Sequence, residues 1–208
     1  MNSVTKAKAQ AEAARQKVED IALAWQETGN RLFDDLQTEF SRNLQEWQAY
    51  IDRETLAVRF REPSVFFGAG SSILTPGFKL VLDDFFPRYI NILDRYRDHI
   101  AEVRIEGHTS SEWKDAPDKL EAYFNNMKLS QERARTVLQY SLNLLEVSEY
   151  LDWAMRTITA NGMSSGRLIL NPDGKENPEL SRRVEFRVRI DSDSSIEEIL
   201  GGKDEAGH

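Results

Sequence analysis

From Thr5 to Arg53 the chain contains no proline and a single glycine, Gly29. Apolar side chains recur at Val18, Ile21, Trp25, Leu32, Leu36, Phe40, Leu44, Trp47 and Ile51, with Glu, Gln, Arg and Asp between them. Steps of three, four and seven put them on one helical face. The spacing predicts a long amphipathic helix or linker over residues 1–55, with a bend near Gly29. A helix of that length cannot bury its stripe alone, so it packs on the domain behind it or on a second copy.

From Leu56 the period changes. "LAVRF" alternates in steps of two and reads as a strand. "EPSVFFGAGSSILTPG" is a glycine- and serine-rich loop around an apolar knot. Thr75 as N-cap and Pro76 in the first turn open a helix through "FKLVLDDFFPRYINILDRY", which Pro87 is expected to kink or split. "AEVRIEG" is a second strand. "LSQERARTVLQYSLNLL" reads as a second helix, with Ser130 as its N-cap and Arg133 in its first turn. "SEYLDWAM" suggests a short helical turn and "RTITANGMSS" a strand. "LNPDGKENPELS" is a turn-rich loop, and "RRVEFRVRID" closes with Val184, Phe186, Val188 and Ile190 on one face. The pattern predicts an α/β (α+β) domain over 56–191, with strands and helices in the order β-α-β-α-β-β. A polar tail, expected to be disordered, follows over 192–208.

Composition narrows what such a domain does. The 208 residues carry a net charge of −8, which disfavours non-specific binding to phosphate backbones or anionic lipid, so nucleic acid is not an expected partner. With no cysteine, disulfides and thiolate metal sites are excluded. No run approaches the roughly 20 apolar residues that span a bilayer. Either the protein is cytosolic or an N-terminal anchor precedes Met1. His99, His108 and His208 are not at metal-ligand spacing. No nucleophile elbow, phosphate-binding loop or dinucleotide fingerprint is present. The chain therefore reads as a non-enzyme without cofactor or metal.

The stretch from "GHTSS" to "LSQERA" holds the candidate chemistry. A strand ends at Gly107, where the missing side chain lets a ligand or a neighbouring backbone come close. His108, Thr109 and Ser110 follow. Asn126 and Ser130 lead into the helix bearing Arg133, whose planar fork of donors suits a carboxylate. The bland reading of the same residues is an ordinary helix cap beside a solvated arginine.

Five blocks in order carry a resemblance: "VFFGAGSSILTPGFKLVLDDF", "VRIEGHTSS", "NNMKLSQERARTVLQY", "ITANGMSS" and "SRRVEFRVRI". Together they resemble the OmpA C-terminal-like family, which includes MotB-type and Zorya-type stator subunits. The resemblance implies an OmpA-like mixed sheet with helices on one face. It also implies noncovalent binding of the peptidoglycan stem peptide at diaminopimelate, with Arg133 on its carboxylate. Asn126, Leu129, Ser130, Arg133 and Ala134 match one family motif. Gly107, His108 and Thr109 match another, but the acid that follows them in the family is Ser110 here. Glu112, Asp115 or Asp118 is then the replacement acid for the ligand's ammonium. Arg182, Arg183 and Glu185 match a third motif, with Arg182 and Arg183 further candidate contacts, or else arginines solvated on an outward strand face. By resemblance the chain is a periplasmic, membrane-tethered cell-wall anchor. The partners implied are peptidoglycan, a second copy, and an inner-membrane subunit of the MotA, TolQ or ExbB type. The alternative is an interaction or dimerisation module that does not bind the wall.

Overall fold

The computed structural model describes residues 3–61, 66–68 and 70–191, with side chains from residue 7 onward. The tail expected over 192–208 lies outside the described residues. Helix α1 spans Ser3–Phe40 and strands β1 and β2 span Ala49–Asp52 and Ala57–Arg61. Helix α2 (Pro76–Asp94), strand β3 (Ile100–His108) and helix α3 (Lys119–Leu142) follow. Helix α4 (Leu151–Thr157), strand β4 (Ile158–Gly162), helix α5 (Pro178–Ser181) and strand β5 (Arg183–Ile190) complete the domain. The five strands lie in the order β1-β2-β5-β3-β4. Only β3 and β4 are parallel; the last strand slots between β2 and β3, antiparallel to both.

Three local predictions need correction. The helical stripe does not continue to residue 53: α1 stops at Phe40, and a turn leads into β1. Gln48 and Leu56 adopt positive φ, and Asp52 accepts hydrogen bonds from the Thr55 N–H and hydroxyl. Gln48 thus ends the turn into β1 and the Asp52–Leu56 turn closes a β1–β2 hairpin, in a stretch where Leu44, Trp47 and Ile51 mimic a helical period. Pro87 does not split α2, which runs as one helix. Ser130 is not a cap. α3 begins at Lys119 with Asp118 as N-cap, placing Ser130 and Arg133 in the helix interior.

Period-two alternation gives the sheet two unlike faces. One presents Val58, Phe60, Val103, Ile105, Val184, Phe186 and Val188, all buried beneath the helices. Phe186 meets Phe85 and Tyr89 of α2 at ring separations of 5.0 and 5.7 Å. Leu32, Leu36 and Phe40 join this core from α1, with Phe40 packed 5.1 Å from Phe85. The other face is charged. Toward its N-terminus the side chains of α1 emerge from the fold, and Val18 is 65 % exposed.

Candidate functional site

The site begins with a close approach between α3 and the sheet. A Cβ on Gly107 would lie 2.4 Å from the Ser130 carbonyl oxygen, and one on Gly162 2.5 Å from the Gln131 nitrogen. Two glycines at paired positions of β3 and β4 thus let the helix settle directly on the strands. Ser130 is part of that joint. Its hydroxyl donates to the Met127 carbonyl and accepts from the Ser164 N–H. The backbone that needs Gly107 to be small is the protein's own.

Seated this way, α3 aims Asn126 and Arg133 at a cleft of about 600 Å³. They lie two turns apart on one face. Thr109 and Ser110, just beyond β3, line the same cleft, as do Phe67, Trp113, Glu112, Lys114 and Arg182. Arg133 is only 6 % exposed. Its Nε donates to the Ser71 carbonyl at 2.9 Å and its Nη2 to the Gly68 carbonyl at 3.4 Å, while its guanidinium stacks 4.9 Å over Phe67. No carboxylate pairs with it among the described residues. Burial and the charge of Arg182 push its pKa down to about 10. The guanidinium remains cationic at neutral pH, and a negative ligand would relieve its burial. The Thr109 hydroxyl is buried and makes no hydrogen bond among the described residues.

The loop between β3 and α3 forms the outer wall. Asn126 holds it by donating to the Glu112 carbonyl at 3.2 Å. Ser111 holds it from the other side, donating its N–H and its hydroxyl to the Glu176 carboxylate. Of the three acids proposed to replace the one missing at Ser110, Glu112 lines the cleft. Asp118 accepts the N–H groups of Leu120 and Glu121 at 2.9 Å as the helix cap. Asp115 sits at a positive-φ turn and does not line the cleft.

His108 and Arg183 lie elsewhere, on the opposite face of the sheet. His108 Nε2 is 3.2 Å from Glu106, and Arg183 Nε donates to Glu185 at 2.6 Å. Arg59 and Arg167 add 3.1 and 3.3 Å ion pairs to Glu185 and Glu106. Glu106, His108 and Glu185 bring potential metal-ligand atoms within 4.8 Å of one another. The three surrounding guanidiniums already neutralise the acids, so the cluster is a structural charge network. Burial depresses the His108 pKa, with Arg183 acting in the same direction. Burial works to raise the Glu106 pKa, but the His108 hydrogen bond and nearby positive charges outweigh it and hold the carboxyl low.

Sequence reasoning missed Phe67, Trp113 and Lys114 as lining residues and Glu176 as the clasp on the outer wall. Lys114 had no helical or strand period to place it, and Glu176 lies 65 residues from Ser111 in the chain.

No family model matches this chain. It is 46 % identical over 186 residues to the Zorya protein ZorB of Escherichia coli, covering 89 % of this chain and 79 % of that one. The fold is similar to the crystal structure of a putative MotB-like protein from Desulfovibrio vulgaris (TM-score 0.58, 22 % identity), over 85 % of this chain and 99 % of that one. It also resembles the cell wall anchor of the T6SS from Pseudomonas aeruginosa (TM-score 0.50, 20 % identity), over 75 % and 97 % of the two chains. Among the described residues no helix is long and apolar enough to cross a membrane. With nearly half its residues shared along most of both chains, this protein belongs to the family of the Zorya protein ZorB.

Proposed function

We propose that this chain binds the peptidoglycan stem peptide noncovalently and so holds a stator-like envelope complex to the cell wall. The observation that carries the reading is Arg133, a buried cation lining the cleft and paired with no carboxylate among the described residues. Its Nε and Nη2 are satisfied only by loop carbonyls, which leaves its charge uncompensated. A carboxylate on the side chain of diaminopimelate supplies the missing charge, with Thr109, Ser110 and Asn126 as neutral donors around it. Glu112 takes the ammonium that an acid at position 110 would have held, and Arg182 guards the rim. Kinship with ZorB and a fold shared with a cell wall anchor support the same reading.

Each charge-assisted hydrogen bond contributes about 1.5–3 kcal/mol net. Two or three, less the cost of association, give weak binding per site. Such binding is sufficient on a polymer that repeats its ligand, and linking two domains multiplies it. The second domain comes from a second copy joined through α1. Ala7, Ala11, Ala14, Val18, Ile21, Trp25, Thr28 and Leu32 follow a strict alternation of three and four residues. Thr28 and Leu32 are buried in the fold, whereas the alanines and Val18 are exposed. The domain belongs in the periplasm, with the chain tethered to the inner membrane beside a MotA-, TolQ- or ExbB-like subunit.

Co-sedimentation with purified sacculi tests the wall reading. The parent pellets with sacculi, whereas Arg133→Ala and Arg182→Ala weaken binding by about tenfold or more. Binding indifferent to both substitutions overturns the site. No binding by the parent would favour an interaction module that does not touch the wall, a reading to which the neutral Ser110 lends support.

A further inference from the structure

The charged face of the sheet contains a second cavity that the wall-binding reading does not use. Alternation along β3 and β5 places four pairs opposite one another: Glu102 with Arg189, Arg104 with Arg187, Glu106 with Glu185, and His108 with Arg183. The first pair is complementary. The two glutamates are neutralised by Arg59, Arg167 and Arg183. Arg104 and Arg187 are different, because like charges directly opposite on antiparallel strands repel.

Above this pair a cavity of about 520 Å³ opens between α1, the β1–β2 turn and β5. Five arginines line it (Arg53, Arg104, Arg167, Arg187 and Arg189), against one acid, Glu54. Four of them lean on carboxylates behind the wall. Arg53 pairs with Asp34 at 2.9 Å and Arg167 with Glu106 at 3.3 Å. Arg104 and Arg189 share Glu102, at 2.8 and 3.6 Å. Arg187 makes no hydrogen bond or close ion pair among the described residues, and its charge acts at longer range to hold Glu106 ionised. Five of the chain's 27 basic residues thus line one hollow.

We propose that this cavity binds a phosphate-bearing anion, with Arg187 and Arg104 as its principal ligands. Guanidinium forks match tetrahedral oxyanions, and several converging forks suit a group of charge near −2 better than a single carboxylate. Trp25 forms one wall. Its indole N–H is directed to the Ile190 carbonyl at 3.4 Å, so its ring offers a flat apolar surface to whatever the phosphate is attached to. The anion relieves the opposition of Arg104 and Arg187. It also ties α1 to the sheet, since residues of both line the cavity.

Calorimetric titration of the whole chain with pyrophosphate, against sodium chloride at matched ionic strength, tests the proposal. Flotation with phosphatidylglycerol vesicles, compared with phosphatidylcholine vesicles, separates a lipid headgroup from a soluble phosphate. Saturable binding in either arm supports the site, provided that Arg187→Gln and Arg104→Gln each weaken it about tenfold or more. Sacculus co-sedimentation by Arg187→Gln stays at the parent level, so the two readings fail separately. The proposal is overturned by binding no stronger than chloride screening, or by variants that bind like the parent.

Discussion

At the scale of single residues, the joint between α3 and the sheet is where one atom decides most. A methyl group on Gly107 has no flexible side chain to push aside, because the obstruction is the Ser130 carbonyl in mid-helix. Gly107→Ala must lift α3 off β3, and overpacking of this kind costs about 1–3 kcal/mol. Urea unfolding would read that loss, and sacculus binding would fall with it, because Asn126 and Arg133 ride on the same helix. His108 gives a pH-dependent counterpart. In the unfolded chain its imidazole titrates near 6.5, but in the fold burial, with the charge of Arg183, depresses it against the pull of Glu106 and Glu185. As pH falls through about 6.5 the unfolded state takes the proton first, so stability present above that value is lost. Glu106, held below its ordinary 4.5, extends the loss with the same sign at lower pH. Thermal melts between pH 7.5 and 5 should show a falling midpoint, with a flatter slope for His108→Gln. The same residues show what alternation could and could not tell. Val103 and Ile105 face the core, so period two turns Gly107 inward and His108 to the far side. A motif read as a continuous string, Gly-His-Thr-Ser, conceals that split. Arg183 diverges from Arg182 for the same reason.

At the scale of elements, α3 was legible in kind but not in extent. Its true start carries a signal, Asp118 followed three residues later by Glu121, the pattern of a capping box. The paired asparagines at 125 and 126 look like a break, and Leu120 and Phe124 point to solvent, so the buried positions of the first two turns, Ala122 and Asn126, carry no large apolar side chain. Asp118 accepts two otherwise unpaired N–H groups, and Asp118→Ala should cost about 1 kcal/mol, measured as a shift in the urea midpoint. That variant also loosens the outer wall of the cleft, where the β3–α3 loop presents Glu112. The error in α1 ran the other way. Leu44, Trp47 and Ile51 continue the helical count by coincidence, while the hairpin is set by Asp52, Thr55 and the positive φ of Leu56. The remaining strands, from β2 to β5, were readable because each alternates an apolar face with a polar or charged one. Their pairing, with β5 inserted between β2 and β3, is a long-range outcome that periodicity does not contain.

At the scale of the whole molecule, α1 joins two environments with a single stripe. From Thr28 to Phe40 it serves the domain core, and there the apolar steps lengthen to four, as ridge-into-groove packing on α2 requires. Before Thr28 the steps alternate between three and four, the spacing of a two-stranded seam. The change in spacing falls near the last turn of α1 that lies against the sheet, where Trp25 reaches the Ile190 carbonyl. If the outer half pairs with a second copy, Val18→Glu together with Ile21→Glu places like charges in the seam without reaching the core. Sedimentation velocity should then show a dimeric parent and a monomeric variant with an unchanged melting temperature at low protein concentration. Sacculus binding by the variant should fall steeply although its cleft is intact, because the second site is no longer held at high effective concentration. Equal sedimentation of parent and variant would mean that the stripe has another occupant, and wall affinity would then have to come from one domain at a time.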